Sequence, residues 1–178
     1  MGFNIEESEI ISSLHQVLEL CIKKYQNKRV AVWGTIDAID YLNTNGMDVV
    51  LDNPDIIVVL YRNDFTYDEL SNLLTMIANG VPYIIGNTDK TYPDVTKTLP
   101  DTGAIANMIQ FVTGVNPTCV LGKTTYMLHT PDNSSVLYIG DSANTDKVFA
   151  HNNGFGFIHL GCDVSHLGVV MDYLKHTP

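Results

Sequence analysis

Residues 56–85 read IIVVLYRNDFTYDELSNLLTMIANGVPYII, and this stretch holds one strand–helix–strand unit. The apolar run over 56–60 predicts a buried strand, because a strand that is apolar at every position can be covered on both faces. Thr66 and Glu69 have the spacing of a capping box, which predicts the start of an amphipathic helix. The apolar run over 83–85 predicts a second strand. A strand, a helix and a strand in this order predict a parallel βαβ unit.

The same alternation continues on both sides of this unit. Further helices are predicted over 5–25, 35–43, 103–113, 144–152 and 165–175, and further strands over 30–33, 49–51, 119–121, 136–139 and 157–160. The stretch with Pro93 and Pro100 is predicted to be an irregular loop, and Trp33 is predicted to lie in the core. Strands that alternate with helices along the whole chain predict an α/β fold.

The composition limits the classes of function. The chain has 178 residues, of which 45 % are hydrophobic and 17 % are charged, so it can bury a core and is not a disordered chain. Its formal net charge of −10 repels phosphate backbones and anionic lipid, so we expect no nucleic-acid partner and no membrane partner. Three widely spaced cysteines fit a reducing compartment, and the N-terminal residues lack the pattern of a signal peptide. We therefore expect a cytoplasmic protein.

Two acidic residues follow the predicted strand over 136–139. Asp141 comes directly after the strand and Gly140, and Asp146 lies at the start of the next predicted helix. Ligands of open parallel sheets bind beyond the carboxyl ends of the strands, and carboxylates are favoured at helix N-termini. Two carboxylates at this place suit a cation that prefers oxygen ligands, such as Mg²⁺.

Two other motifs suggest different chemistry. Gly122-Lys123-Thr124-Thr125 has the ending of a phosphate-binding loop, but the position five residues earlier is Pro117, which has no N–H group to offer a phosphate. Ser142 after Gly-Asp, together with Asp163 and His166 at Asp-x-x-His spacing, has the pattern of a GDSL-type serine esterase. The first interpretation fails, and the esterase remains a distant third hypothesis.

Five blocks in order resemble the NagD-type, p-nitrophenylphosphatase-like branch of the haloacid dehalogenase (HAD) superfamily. The blocks are residues 52–59 with an Asn-Pro-Asp turn, 86–93 with Asn-x-Asp-x-x-x-Pro, 103–117, the pair Gly122-Lys123, and 140–146 with Gly-Asp-x-x-x-x-Asp. The resemblance implies a NagD-type α/β cap domain over 1–117. It also implies the C-terminal half of a Rossmann-like HAD core over 118–178.

The resemblance also implies a function and a set of site residues. It implies Mg²⁺-dependent hydrolysis of a small phosphorylated metabolite. Lys123 is similar to the lysine that contacts the phosphoryl group, and Asn87 and Asp89 resemble substrate-binding residues of the cap loop. Asp141 and Asp146 resemble the acidic residues of the metal site, with Asp146 a direct ligand or an outer partner.

One part of the family pattern is absent. The nucleophile and the general acid of such phosphatases form an Asp-x-Asp motif, and no Asp-x-Asp occurs in these 178 residues. We therefore expect a truncated relative that is inactive alone and binds Mg²⁺ weakly. The alternative is a non-catalytic remnant that binds a phosphorylated ligand or a partner. Because the family strand beside 136–139 is missing, we also expect a homo-oligomer or a complementing N-terminal segment.

Overall fold

A computed structural model of the chain describes residues 6, 9–92, 94, 96–128, 136–165 and 167–169. The chain divides into two compact units, Met1–Gly122 and Lys123–Pro178. The first unit contains α1 (Ser13–Tyr25), β1 (Arg29–Trp33), α2 (Ile36–Thr44), β2 (Asp48–Val49), β3 (Ile56–Val59), α3 (Tyr67–Ala78), β4 (Tyr83–Ile85), β5 (Thr91–Tyr92), β6 (Leu99–Pro100), α4 (Thr102–Thr113) and β7 (Cys119–Val120). The second contains β8 (Leu137–Gly140), α5 (Asp146–Asn153) and β9 (Gly156–His159).

The first unit is built on a five-stranded parallel sheet in the order β2-β1-β3-β4-β7. Helices α1 and α2 pack on one face of the sheet, and α3 and α4 pack on the other. All four residues of β3 are buried, as their unbroken apolar sequence predicts. The predicted α/β fold is therefore confirmed.

Helix capping sets where two of these helices begin. The capping box of Thr66 and Glu69 is present, and α3 follows it directly. The first helix begins at Ser13, whereas the sequence pattern predicted a start near residue 5. Ser12 caps this helix, because its hydroxyl accepts the His15 N–H and its own N–H donates to His15 Nδ1. The apolar periodicity extends past the cap, so periodicity alone misplaces the start.

Strand β7 belongs to the sheet of the first unit. It pairs with β4, and the Leu121 N–H donates to the Ile85 carbonyl at 2.8 Å. The predicted domain boundary placed residues 118–122 in the second domain, whereas the first compact unit extends to Gly122. The pairing with β4 accounts for the difference.

The stretch predicted as an irregular loop contains a short hairpin. Strands β5 and β6 pair antiparallel, Thr91 with Pro100 and Tyr92 with Leu99. Each strand has two residues, too few to give a sequence pattern. The hairpin leads directly into α4, because Asp101 caps that helix by accepting the Thr102 N–H.

The described part of the second unit includes a parallel pair of strands that packs against helix α5. Strands β8 and β9 pair with each other, and α5 packs on them through Phe149 and Ala150. Tyr138 and Phe157 on the strands contribute to the same cluster. Of the helix predicted over 165–175, residues 167–169 are helical, and positions 166 and 170–175 lie outside the described residues. Within the described parts of both units, no helix is long and apolar enough to cross a membrane.

Candidate functional site

Asp146 is the centre of a hydrogen-bonded cluster in the second unit. Its side chain is buried at the first position of α5. One carboxylate oxygen, Oδ1, accepts hydrogen bonds from Lys123 Nζ at 2.6 Å and from the Tyr138 hydroxyl at 3.2 Å. The other oxygen, Oδ2, accepts the backbone N–H groups of Asp141 and Ser142, both at 3.1 Å. The Gly-Asp loop, the lysine and the helix start are therefore tied to one carboxylate.

The environment keeps this carboxylate ionised. Burial alone would raise the pKa of Asp146, but the hydrogen bonds from Lys123 and the Ser142 N–H outweigh burial, and the pKa lies below its ordinary value. Burial raises the pKa of Tyr138, and the negative charge of Asp146 adds to this effect, so the phenol stays protonated and donates. At neutral pH the ammonium of Lys123 consequently faces an ionised carboxylate.

Gly140 lets the Asp146 side chain reach the loop. A Cβ at position 140 would overlap with the Cβ, Cγ and Oδ2 atoms of Asp146. The end of β8 therefore accepts only glycine while Asp146 is in this position. The Gly-Asp pair of the motif thus has a steric reason: glycine makes room for the second carboxylate, and Asp141 follows it.

Asp141 is exposed at the carboxyl end of β8. Its backbone N–H donates to Asp146, and its carbonyl oxygen lies 3.0 Å from His159 Nε2 at the end of β9. The His159 N–H in turn donates to the Asp163 carboxylate at 2.8 Å. These contacts fix the backbone of Asp141 at the edge where the two parallel strands end and leave its side chain accessible.

These residues provide one accessible carboxylate for a cation. Among the residues that the structure describes, no group of three or more His, Cys, Asp or Glu side chains is arranged to hold a metal ion. Both oxygens of Asp146 already accept two hydrogen bonds each, whereas the Asp141 side chain is exposed. The described residues thus offer a hard cation a single accessible carboxylate, and metal binding by Asp141 and Asp146 stays a prediction.

Asn87 and Asp89 lie together in the loop after β4 of the first unit. The Asn87 Oδ1 atom accepts the Asp89 N–H at 2.9 Å, and its Nδ2 atom donates to the Thr102 hydroxyl at 3.3 Å. Gly103 brings the start of α4 against this loop, because its N–H donates to the Asp89 carbonyl and a Cβ there would overlap with the loop backbone. The loop is therefore held rigidly by the N-terminus of α4.

A cleft of about 290 Å³ adjoins this loop. Polar side chains in its lining include Asn87, Lys90, Asn107 and Gln110, and apolar ones include Ile85 and Val120. A lining of apolar side chains with a few polar groups is typical of a pocket for a small organic molecule.

The structure thus places the predicted residues in two clusters. Lys123, Asp141 and Asp146 form one cluster in the second unit, and Asn87 and Asp89 form the other in the first unit. Tyr138, which donates to Asp146, was not among the predicted site residues. A tyrosine two residues before the Gly-Asp pair was the available signal, but a tyrosine in a strand is usually a core residue.

The residues of the esterase hypothesis have other contacts in the structure. The Ser142 hydroxyl accepts the Thr145 N–H at 3.2 Å, and the Asp163 carboxylate accepts the His159 N–H. The third residue, His166, lies outside the described residues. No contact in the described part of the chain supports this hypothesis over the phosphoryl-binding one.

Comparison with known proteins identifies related sequences and folds. The chain is 25 % identical over 173 residues to an acid sugar phosphatase of Staphylococcus epidermidis, covering 93 % of this chain and 66 % of that protein. The fold matches a p-nitrophenyl phosphatase from Archaeoglobus fulgidus with a TM-score of 0.80, at 20 % identity over 99 % of this chain and 72 % of the other. It also matches a glycerol phosphate phosphatase from Mycobacterium tuberculosis in complex with magnesium, with a TM-score of 0.74 and 23 % identity, covering 89 % of this chain and 51 % of the other.

These matches leave part of each relative uncovered. The chain spans just under two thirds of the acid sugar phosphatase and about half of the magnesium-bound phosphatase. No protein-family profile matches the chain. The matches nevertheless agree with one another and with the motif order, so the resemblance is confirmed: this chain has the fold of NagD-type proteins and p-nitrophenyl phosphatases, and its sequence is similar to those of acid sugar phosphatases.

Proposed function

We propose that this chain carries the phosphoryl-binding and metal-binding residues of a Mg²⁺-dependent phosphomonoester phosphatase that acts on a small phosphorylated metabolite. The observation that carries the proposal is the Lys123 ammonium, held 2.6 Å from the buried Asp146 carboxylate whose other oxygen binds the Asp141 backbone. The relationship to phosphatases supports it.

Lys123 is suited to bind a phosphoryl group. Its side chain is half-exposed, so a ligand can approach the ammonium while the ammonium is paired with Asp146. A fixed ammonium stabilises negative charge on phosphoryl oxygens, and the ion pair holds it in place before the ligand arrives. Mg²⁺ bound at Asp141 would supply further positive charge for the same oxygens.

Asn87 and Asp89 are the proposed substrate-binding residues of the first unit. Their loop is held against the start of α4 and borders a cleft lined by both apolar and polar side chains. A rigid loop with amide and carboxylate groups can recognise hydroxyl groups of a small metabolite by hydrogen bonds.

These 178 residues are proposed to bind the phosphoryl group without hydrolysing it. The chain contains no Asp-x-Asp motif, and Lys123 and Asp141 can stabilise a transition state but cannot supply the family's nucleophile. The same observation favours a second candidate function, binding of a phosphorylated ligand or a partner without catalysis. A complementing segment with Asp-x-Asp would distinguish the two, because only a phosphatase half gains turnover from it.

Strand β8 is the proposed place for such a segment or for a second copy of the chain. Among the described residues, β8 pairs only with β9, and Leu137 is 41 % exposed. An unpaired strand edge is a template for another strand. A cytoplasmic location is proposed from the acidic composition and the cysteine count.

Titration with inorganic phosphate in the presence of Mg²⁺ tests the binding role. We expect Lys123→Gln to weaken phosphate binding about tenfold, which corresponds to ~1.4 kcal/mol. Lys147→Gln is the matched control, because Lys147 is an exposed lysine at the second position of α5, and among the described residues its side chain forms no hydrogen bond or ion pair with the cluster. Equal effects of the two lysine variants on phosphate binding would show that Lys123 contributes only general positive charge, and this result would overturn the proposal.

Calorimetry with Mg²⁺ tests the metal-binding role. It should give a millimolar affinity for Mg²⁺, and Asp141→Asn should weaken that affinity.

A further inference from the structure

Gln16 is a buried polar residue that neither the sequence motifs nor the proposed function uses. It lies on α1 beside Val17, and these two residues and Cys21 are the buried residues of that helix. Gln16 is only 8 % exposed, so its amide has little access to water. Burial of an amide is unfavourable unless the amide is hydrogen-bonded. The partner of Gln16 therefore indicates why a glutamine lies on this face of the helix.

The partner is the backbone of Gly122. The Gly122 N–H donates to Gln16 Oε1 at 3.1 Å, and this buried bond joins residues that are 106 positions apart in the sequence. An N–H group requires an acceptor, so the oxygen of the glutamine amide faces Gly122. The bond ties α1 to the residue that directly precedes Lys123 in the chain.

Two further contacts hold the backbone around Gly122. The Leu121 N–H donates to the Ile85 carbonyl at 2.8 Å, and the Leu121 side chain packs against the apolar core next to α1. Gly122 has a φ of +108°, and a Cβ there would lie 3.1 Å from the Cα atom of Asn87. Glycine suits this position because it tolerates both the positive φ and the close approach. The peptide before Lys123 is therefore held by β4, by the loop of Asn87 and by α1.

We propose that Gln16 is a positioning residue for Lys123, and this inference rests on the proposed phosphoryl-binding role of that lysine. The Gly122 N–H belongs to the peptide plane that joins Leu121 to Gly122, so Gln16 fixes this plane one residue before Lys123. Glycine is the most flexible residue, and lysine extends its charge on a flexible four-carbon stem. A fixed backbone at this place reduces the freedom that is lost when the ammonium binds phosphate, and affinity rises accordingly.

A purely structural role of Gln16 has a different experimental signature. A glutamine that only satisfies a buried N–H group stabilises the first unit, and its loss lowers stability without changing the phosphate affinity of the folded protein. Loss of a positioning residue lowers the phosphate affinity of the folded protein as well. Phosphate titration of folded variants therefore separates the two roles.

Titration of the intact chain with inorganic phosphate in the presence of Mg²⁺ tests this proposal. Gln16→Met keeps the length of the side chain and removes the acceptor, and we expect it to weaken phosphate binding about fivefold. Gln26→Met is the matched control, because Gln26 is an exposed glutamine at the end of the same helix, and it should leave the affinity unchanged. Circular dichroism checks that Gln16→Met folds. If it does not fold, Gln16→Asn, which is shorter by one methylene group, should show the same weakening.

Amide exchange at Gly122, followed by NMR, gives a second measurement. Exchange of the Gly122 N–H should become about tenfold faster in Gln16→Met, whereas Gln16→Glu, which keeps an acceptor oxygen at the same reach, should retain the protection. Wild-type phosphate affinity or wild-type Gly122 exchange in Gln16→Met would overturn this inference, and it would leave the proposed function standing if Lys123→Gln still weakens binding. Wild-type phosphate affinity in Lys123→Gln would overturn the proposed function, and this inference would fail with it.

Discussion

Replacement of Asp146 by alanine tests whether this carboxylate organises the second unit. The substitution leaves the N–H groups of Asp141 and Ser142 without their acceptor and removes the partner of Lys123 and Tyr138. Each lost backbone bond costs about 1 kcal/mol. The ion pair adds less than about 1 kcal/mol because Lys123 is half-exposed, and the carboxylate at a helix N-terminus adds about 0.5 kcal/mol. We therefore expect Asp146→Ala to destabilise the second unit by about 3 kcal/mol.

Hydrogen exchange measured by mass spectrometry on peptides from 136–153 is the suitable assay, because it reports on this unit alone. Exchange limited by unfolding of the unit should become about a hundredfold faster in Asp146→Ala. Lys123→Gln should accelerate it less than about fivefold, since the backbone bonds to Asp146 remain. Asp68→Ala, which removes an exposed first-turn acid of α3, is the matched control and should leave these peptides unchanged. If Lys123→Gln accelerated exchange as much as Asp146→Ala, the ion pair would contribute more to the stability of the second unit than the backbone hydrogen bonds of the loop. That result would refute this reasoning.

Three further changes have definite expected outcomes. Gly140→Ala should destabilise the second unit by about 1–3 kcal/mol in thermal denaturation, because its methyl group overlaps with Asp146; a loss no larger than that of Gly156→Ala, where the nearest neighbour is the flexible end of Leu137, would contradict the steric argument. Leu137→Lys should reduce any oligomer seen by light scattering or unfold the second unit, and a well-folded monomer indifferent to it would exclude pairing through β8. Hydrogen bonds from the Thr66 N–H and from Arg62 lower the pKa of Glu69 from 4.5 to about 2. The ionised Glu69 therefore stabilises the start of α3 fully above pH 4.5, and this stabilisation is lost as the pH falls toward 2. Amide exchange at the start of α3 should show this loss in the wild type and not in Glu69→Gln.

Much of the first unit could be predicted from its sequence because its signals are local. The apolar run of β3 and the capping box of α3 each depend on a few neighbouring residues, and both elements form where predicted. The hairpin of β5 and β6 has two residues in each strand, and its pairing depends on contacts across a loop. The membership of β7 in the first sheet likewise depends on its partner β4, which the sequence of β7 does not reveal.

The candidate site shows the same division. The Gly140–Asp146 motif after an apolar strand was recognisable, and the structure joins its two ends through the bonds of Asp146 to the Asp141 and Ser142 N–H groups. The contact of Lys123 with Asp146 spans 23 residues and was suggested only by the family resemblance. The role of Tyr138 required the three-dimensional arrangement, because a strand tyrosine has the same sequence pattern whether it packs in a core or donates to a carboxylate.

The turnover of p-nitrophenyl phosphate by the purified chain in the presence of Mg²⁺ tests most directly whether these residues form a phosphoryl-binding site without its nucleophile. We expect no hydrolysis above the rate in buffer, because no Asp-x-Asp motif supplies an attacking carboxylate. Hydrolysis that persists through purification and disappears in Asp141→Ala would contradict the proposal and require a nucleophile elsewhere in the chain.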